Sequence, residues 1–331
     1  MVWSTLAVRR LMLSIGAAVD MYSVLAVRRG GRVLQQDGAA MTEWIWLNGK
    51  VMPLEQARVG IEDRGFQFAD GVYEVIRVYN GQCFTLDEHL ARLKRSAEGI
   101  EINALPLSNS ALAREIRALV DRSGLVDAMV YVQLTRGEAE RAHAFPRCQP
   151  TLLFYVRQLG PAPVAGDGPG AHVVSVRDER WQRCWIKAIA LLPNVLAKNK
   201  ALASDAEEAI LIDGQSVSEG SASNILFVMS GQLVTAPVGA KVLPGITRQV
   251  LLQMAGELGV PVQERAVMLD EAMAADEIFI TSTTREISHV TRWDGRVVGG
   301  DRCGPITRKL HEALQSRIHR ECPARSGAAV A

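Results

Sequence analysis

The chain has 331 residues, with 37 Lys and Arg against 36 Asp and Glu and 48% hydrophobic residues. A net charge of +1 gives no basic footprint for nucleic acid or an acidic membrane surface, and no apolar run reaches the roughly 18 residues of a membrane span. Five scattered cysteines without a CxxC pair argue against a disulfide framework and for a reducing cytoplasm.

The first 40 residues stand apart. "LAVRR" occurs at 6–10 and again at 25–29, and Asp20 and Asp37 are the only acids before Met41. Such an arginine-rich, acid-poor start has the composition of an organelle transit peptide. The preferred alternative is an over-long start, because the first clear strand, "EWIWLNG", begins just after Met41. Residues 1–40 are then a disordered extension.

"WIWLNGKVMPL" reads strand, Asn-Gly turn, strand, and "GVYEVIRVYNGQCFTL" (71–86) repeats that plan. A helix starts at Asp87, and "NSALAREIRALVDRSGL" is a second helix, ended by Gly124. "AMVYVQLTRG" and "TLLFYVRQL" are strands around a polar loop, 137–150. Residues 41–160 therefore form a small α+β unit. "GPAPVAGDGPG" supplies a linker at 161–170. A larger, strand-rich unit follows over 171–320, with helices at 247–259 and 303–319, before a flexible tail at 321–331. The fold class is α+β, in two domains.

Five segments have more polar detail than packing requires. In "RCWIKAIALL" (183–192) Lys187 interrupts an apolar run. It is either a strand-end lysine reaching to solvent or an amine kept neutral by burial, ready to bond an aldehyde. Cys184, three residues earlier, is a small buried hydrophobe rather than a nucleophile. In "VSEGSASNILFV" (217–228) Glu219 belongs to a solvated turn or faces a ring nitrogen. "LPGITR" (243–248) opens a helix whose free N–H groups at Gly245 and Thr247 suit a phosphate, although Thr247 also serves as a plain cap. "TSTTREI" (281–287) offers four hydroxyls, for turns or for phosphate. In "TRGEAERAHAFP" (135–146) Arg141 and His143 alternate, so both can converge on one carboxylate; the plain reading is a solvated loop.

Taken in order, "EDRGFQFADGVYEVIRVYNG", "DEHLARLKRSAEGI", "TRGEAERAHAFP", "RWQRCWIK", "VSEGSASN", "LPGITR" and "TSTTREI" resemble the class IV (fold type IV) pyridoxal-phosphate aminotransferases, and within them the bacterial D-amino acid (D-alanine) branch. The likeness spans residues 44 to 315. It implies pyridoxal 5'-phosphate as cofactor, amino acids and 2-oxo acids as substrates, and ping-pong transamination of D-alanine with 2-oxoglutarate. Lys187 matches the Schiff-base lysine, Arg92 a phosphate ligand and Glu219 the partner of the pyridine nitrogen. Gly245, Ile246, Thr247 and Thr283 match the phosphate cradle, and Leu243 the residue packed on the ring. Tyr73, Arg141 and His143 match the trap for the substrate α-carboxylate. The resemblance places the Arg141 loop in the neighbouring subunit's site, hence a homodimer.

Ala188, Ala190 and Ala222 replace hydroxyl and amide residues common in the family, which bears on rate and fine specificity. Branched-chain L-aminotransferase or aminodeoxychorismate lyase activity stands as the alternative on the same fold, and a non-catalytic cofactor-binding protein as the alternative of another class.

Overall fold

The computed structural model describes residues 43–324, apart from 161, 163 and 167, together with the backbone pair Val33–Leu34 and Ala40–Met41. The other calls made for residues 1–40 lie outside the described residues. The described residues from Glu43 onward belong to one compact unit.

The Asn-Gly turn at 48–49 joins β1 (Trp44–Leu47) to β2 (Lys50–Pro53), and a short helix α1 (Arg64–Phe68) leads to β3 (Gly71–Tyr79). A second Asn-Gly turn returns the chain through β4 (Gln82–Cys83) into α2 (Leu86–Gly99). Helix α3 (Asn109–Ser123) starts with the Ser108 hydroxyl accepting from Ala111 N at 3.3 Å and stops at Gly124 in the left-handed region. Strands β5 (Ala128–Thr135) and β6 (Thr151–Gln158) complete an antiparallel sheet in the order β2-β1-β6-β5-β3-β4. Leu90, Leu93 and Ala97, spaced for one face of α2, pack with Val72, Ile76 and Val78 of β3 in a single apolar core. Burying each leucine contributes about 1.5–3 kcal/mol.

The second half contains β7 (Ala171–Arg177), α4 (Leu192–Ala203), β8 (Glu208–Asp213), β9 (Ser216–Gly220), β10 (Asn224–Met229) and β11 (Gln232–Thr235). It continues with α5 (Ile246–Glu257), β12 (Val262–Glu264), α6 (Leu269–Met273), β13 (Glu277–Ser282), β14 (Glu286–Trp293), β15 (Arg296–Val297) and α7 (Pro305–Glu321). Among the described residues its strands form one mixed sheet, β9-β8-β7-β14-β13-β10-β11-β12, with β15 beside β14. The pairs β7–β8, β7–β14 and β11–β12 are parallel. Several of these strands are buried along nearly their whole length, and they read as continuous apolar runs rather than alternating ones.

The two halves are tied at several points. Tyr79 Oη donates to Glu286 Oε1 at 2.7 Å, and Arg92 Nη1 donates to Pro244 O at 2.8 Å. The expected tail is docked where it begins: α7 runs through Glu321, Cys322 is buried, and Asn80 Nδ2 and Gln82 Nε2 donate to the carbonyls of Cys322 and Pro323. Residues 325–331 lie outside the described residues. Among the described residues no helix is long and apolar enough to cross a membrane.

Candidate active site

Lys187 sits in an irregular segment, not at a strand end. Strand β4 covers only the far end of β3, so the first residues of β3 keep an open edge. The lysine segment fills that edge: Tyr73 N donates to Lys187 O at 3.0 Å, Ile189 N to Gly71 O at 3.1 Å, and Lys187 N to Ser96 Oγ at 3.1 Å. Ile186 and Ala188 are buried in the first core, and alternation turns the half-buried lysine the other way. Its Nζ lies 4.3 Å from the centroid of the Tyr73 ring. The side chain thus enters a cavity of about 530 Å³, also lined by Tyr73, Arg92, Glu219, Leu243 and Thr283, and by Gly245 to Thr247. Cys184 borders the cavity too, but burial pushes its thiol up to about 11, so it is not the thiolate a nucleophile needs.

One end of the cavity is acidic. Glu219 is buried on β9; its Oε2 accepts from Asn224 Nδ2 at 2.8 Å and Leu243 N at 3.0 Å, and its Oε1 accepts from Arg180 Nη1. Burial raises its carboxyl to about 7 against the pull of Arg180. The solvated-turn reading of Glu219 does not hold, because the residue lies within β9 and is buried.

The other end can hold an anion. Arg92 is buried on α2, and its Nε and Nη2 donate to Glu74 Oε1 and Oε2 at 2.7 and 2.8 Å. With Nη1 on Pro244 O, three of its five N–H groups are engaged and two remain for a ligand. Beside it, α5 makes its first intrahelical bond from Gln249 N to Gly245 O at 2.9 Å, so the N–H groups of Ile246 and Thr247 are free of the helix ladder. No side chain caps this helix. Gly245 is required there: a Cβ would come within 2.0 Å of Asn224 Oδ1, displacing the amide that holds Glu219. In the hydroxyl turn, Thr281 Oγ1 donates to Glu286 O at 2.5 Å and Ser282 Oγ accepts from Arg285 N at 3.3 Å, while Thr283 lines the cavity. The buried Ser223 hydroxyl on the cavity wall has no hydrogen-bond partner among the described residues.

Glu74 fixes the arginine. Burial opposes its charge, but Arg92, together with the His89 ring 2.7 Å away, outweighs that and holds the carboxyl at about 2. A carboxyl held below its unfolded value adds stability above that value, and the contribution fades as pH falls toward 2. Glu74→Gln strands the Arg92 charge, and the expected cost at pH 7 is about 3–5 kcal/mol. Urea unfolding at neutral and acid pH checks this. The gap between the two proteins should close in acid, and a gap that persists unchanged would contradict the pairing.

Arg141 and His143 do not line this cavity. Both are exposed on the 137–150 loop and gather about Phe68: the Arg141 guanidinium lies 4.8 Å from the ring centroid and the His143 ring 5.7 Å away, edge-on. The loop is nonetheless built. Gly137 (φ +109°) passes so close to Gln149 O that a Cβ would sit 1.9 Å from it. Asp70 accepts from Arg64 Nε and Arg136 Nε, both at 2.8 Å, and Arg64 Nη1 donates to Ala142 O at 2.5 Å. The two residues therefore lie about one aromatic ring, and neither lines the cavity of its own chain.

Four residues at this site carry no role in the sequence reading. Glu74 had a signal, a lone carboxylate within the apolar run "GVYEVIRVY", which must find a partner if buried. Asn224 and Ser223 lay inside a quoted motif. Arg180 opens the quoted motif "RWQRCWIK" but was given no role, since its partners at 178 and 219 lie far apart in the chain.

The family model for class IV aminotransferases matches residues 71–293, a span holding most of the residues just described. The chain belongs to the class IV aminotransferases. It is 43% identical over 275 residues to the D-alanine aminotransferase of Bacillus licheniformis, covering 83% of this chain and 96% of that protein. It is 42% identical over 282 residues to the D-alanine aminotransferase of Listeria monocytogenes serotype 4b, covering 84% and 97%. Among solved structures, the branched-chain amino acid aminotransferase of Escherichia coli aligns with a TM-score of 0.78 at 26% identity, covering 86% of this chain and 98% of that one. The α+β, two-sheet architecture is that of this family.

Proposed function

We propose that this aminotransferase moves the amino group of D-alanine to 2-oxoglutarate, giving pyruvate and D-glutamate, with pyridoxal 5'-phosphate held by Lys187. The observation that carries this reading is one cavity lined by a lysine amine, a buried carboxylate and a buried arginine beside the start of an uncapped helix. That donor set fits the cofactor: a cation and free N–H groups for its phosphate, a carboxylate for a protonated ring nitrogen, and an amine for its aldehyde.

When bound, the cofactor supplies an electron sink for the substrate carbanion. Arg92, Ile246 N, Thr247 N and Thr283 Oγ1 would hold the phosphate. Glu219 would keep negative charge against the ring nitrogen, and Leu243 would pack on the ring. Lys187 Nζ would be the base that takes the proton from the substrate Cα and the acid that delivers it to the cofactor carbon bonded to the amino nitrogen, with the reverse transfer in the second half-reaction. The same amine serves both half-reactions, so donor and acceptor use one cavity in turn, and the kinetics are ping-pong. Tyr73, beneath the lysine, contributes to the α-carboxylate site. Arg141 and His143 complete that site from the second subunit of a homodimer, consistent with their distance from the cavity of their own chain. The five cysteines carry free thiols, which suits a cytoplasmic setting.

A donor panel of D- and L-amino acids with 2-oxoglutarate tests the reading. Pyruvate from D-alanine at a rate far above any L-leucine turnover is expected. Preferential use of L-leucine would assign the chain to the chemistry of the branched-chain enzyme whose structure it resembles, and pyruvate release without an acceptor to a lyase.

A further inference from the structure

The acidic end of the cavity holds a buried charge relay that reaches beyond Glu219. Asp178 Oδ1 accepts from the backbone N and the Nε of Arg180, both at 3.0 Å, and Asp178 Oδ2 accepts from Nη2 at 2.8 Å. The same Nη2 donates to Lys241 O at 2.7 Å, while Lys241 Nζ donates to Arg180 O at 2.9 Å and lies 3.8 Å from Asp178 Oδ1. The guanidinium is therefore held from both sides, with Nη1 left to reach Glu219 Oε1.

We propose that Arg180 is a positioning residue for transamination: by pairing with Glu219 it keeps that carboxylate ionised and the proton on the ring nitrogen of the bound cofactor. The inference rests on the reading of Glu219 given above and extends it to the residue behind it. The physical reason is the instability of a buried ion pair. A pyridinium against a carboxylate in a dry site can relieve itself by passing its proton to the carboxylate, leaving two neutral partners. A guanidinium fixed at Oε1 opposes that transfer, because it loses its own partner's charge when the proton moves. Asn224 Nδ2 and Leu243 N orient Glu219 but carry no charge to oppose it.

The charged groups around Glu219 come from three segments. Asp178 and Arg180 follow β7, Lys241 precedes α5, and Lys187 precedes α4. Asp178 is itself held ionised: burial opposes the charge and the bonds from Arg180 outweigh it. The signs thus alternate along Asp178, Arg180, Glu219 and the ring nitrogen. Lys187 cannot replace Arg180 in this role, since its amine must give up charge to react.

The test uses the holoenzyme loaded with pyridoxal 5'-phosphate labelled with nitrogen-15 in the ring, read by NMR across neutral pH, beside steady-state kinetics with D-alanine. The wild type should show a protonated ring nitrogen throughout, and Glu219→Gln should lose that signal. Arg180→Met should move the resonance toward the unprotonated position as pH rises and lower kcat roughly tenfold to a hundredfold, the worth of one charge-assisted bond, with KM little changed. Arg180→Lys, which restores a cation, should recover the protonated resonance. A wild-type resonance in Arg180→Met, even with reduced kcat, would make Arg180 a structural residue only and overturn the inference. If Glu219→Gln also keeps the wild-type resonance, the placement of the ring nitrogen fails instead. Should Arg180→Met not take up cofactor, Asp178→Asn, which loosens the guanidinium without removing it, should give an intermediate resonance, and a wild-type one overturns the proposal.

Discussion

Replacing Lys187 by alanine is expected to lower transamination by at least roughly ten-thousandfold, since one amine both bonds the cofactor and carries the proton. The fold should survive. The backbone of Lys187, not its side chain, ties the segment to Tyr73 and Ser96, and the substitution keeps all of those bonds. What is lost locally is the contact of the ammonium with the Tyr73 ring, worth about 0.5–2 kcal/mol. Cofactor should still bind through its phosphate end, but without the visible absorbance of the lysine-bound form. Absorbance spectra, thermal unfolding and D-alanine turnover of the variant check the three statements. Near-normal turnover would shift the role to another lysine. Among the described residues Lys198 is the other lysine on the cavity wall, and its Nζ already donates to Glu207 O. Lys241 is tied to Arg180 O, and Lys200 is exposed.

The site was legible in the sequence where chemistry contradicts its surroundings. Lys187 and Glu219 are charges in apolar or small-residue company, and such charges are kept only where something uses them. Helix α5 was legible from Gly245 and Thr247 at its start. Helix α4 was not read, and its packing says why. It buries only Ala197 and Ala201 and leaves Leu192, Val195, Leu196 and Leu202 exposed, so its apolar residues mark no inward stripe. Arg180 shows the limit more sharply. Its importance lies in pairing two carboxylates 41 residues apart in the chain, at 178 and 219, and no local spacing reports such a pair. Arg141 and His143 were legible as neighbours in one polar loop, and in the fold both lie about the Phe68 ring. Which cavity they serve is a question about a second chain.

Arg141 therefore carries the other large expected effect. Donor and acceptor present the same α-carboxylate, so Arg141→Ala should raise KM for both, by roughly tenfold to a hundredfold for a charge-assisted bond of about 1.5–3 kcal/mol. The absorbance of bound cofactor should be untouched, because Arg141 is expected to meet the substrate carboxylate and not the cofactor. The decisive measurement mixes two defective chains. A heterodimer of Lys187→Ala with Arg141→Ala contains one site built from a native lysine and a native arginine of opposite chains, and one site lacking both. Purified with different tags on the two chains, it should regain activity at one of its two sites with native KM values. If the loop instead closed over the cavity of its own chain, each site would lack one group or the other and the heterodimer would stay inactive at low substrate. The geometry argues for recovery: Asp70, Arg64 and Arg136 pin the loop from within, and Arg141 and His143 project from it on an exposed face, free to enter a neighbour.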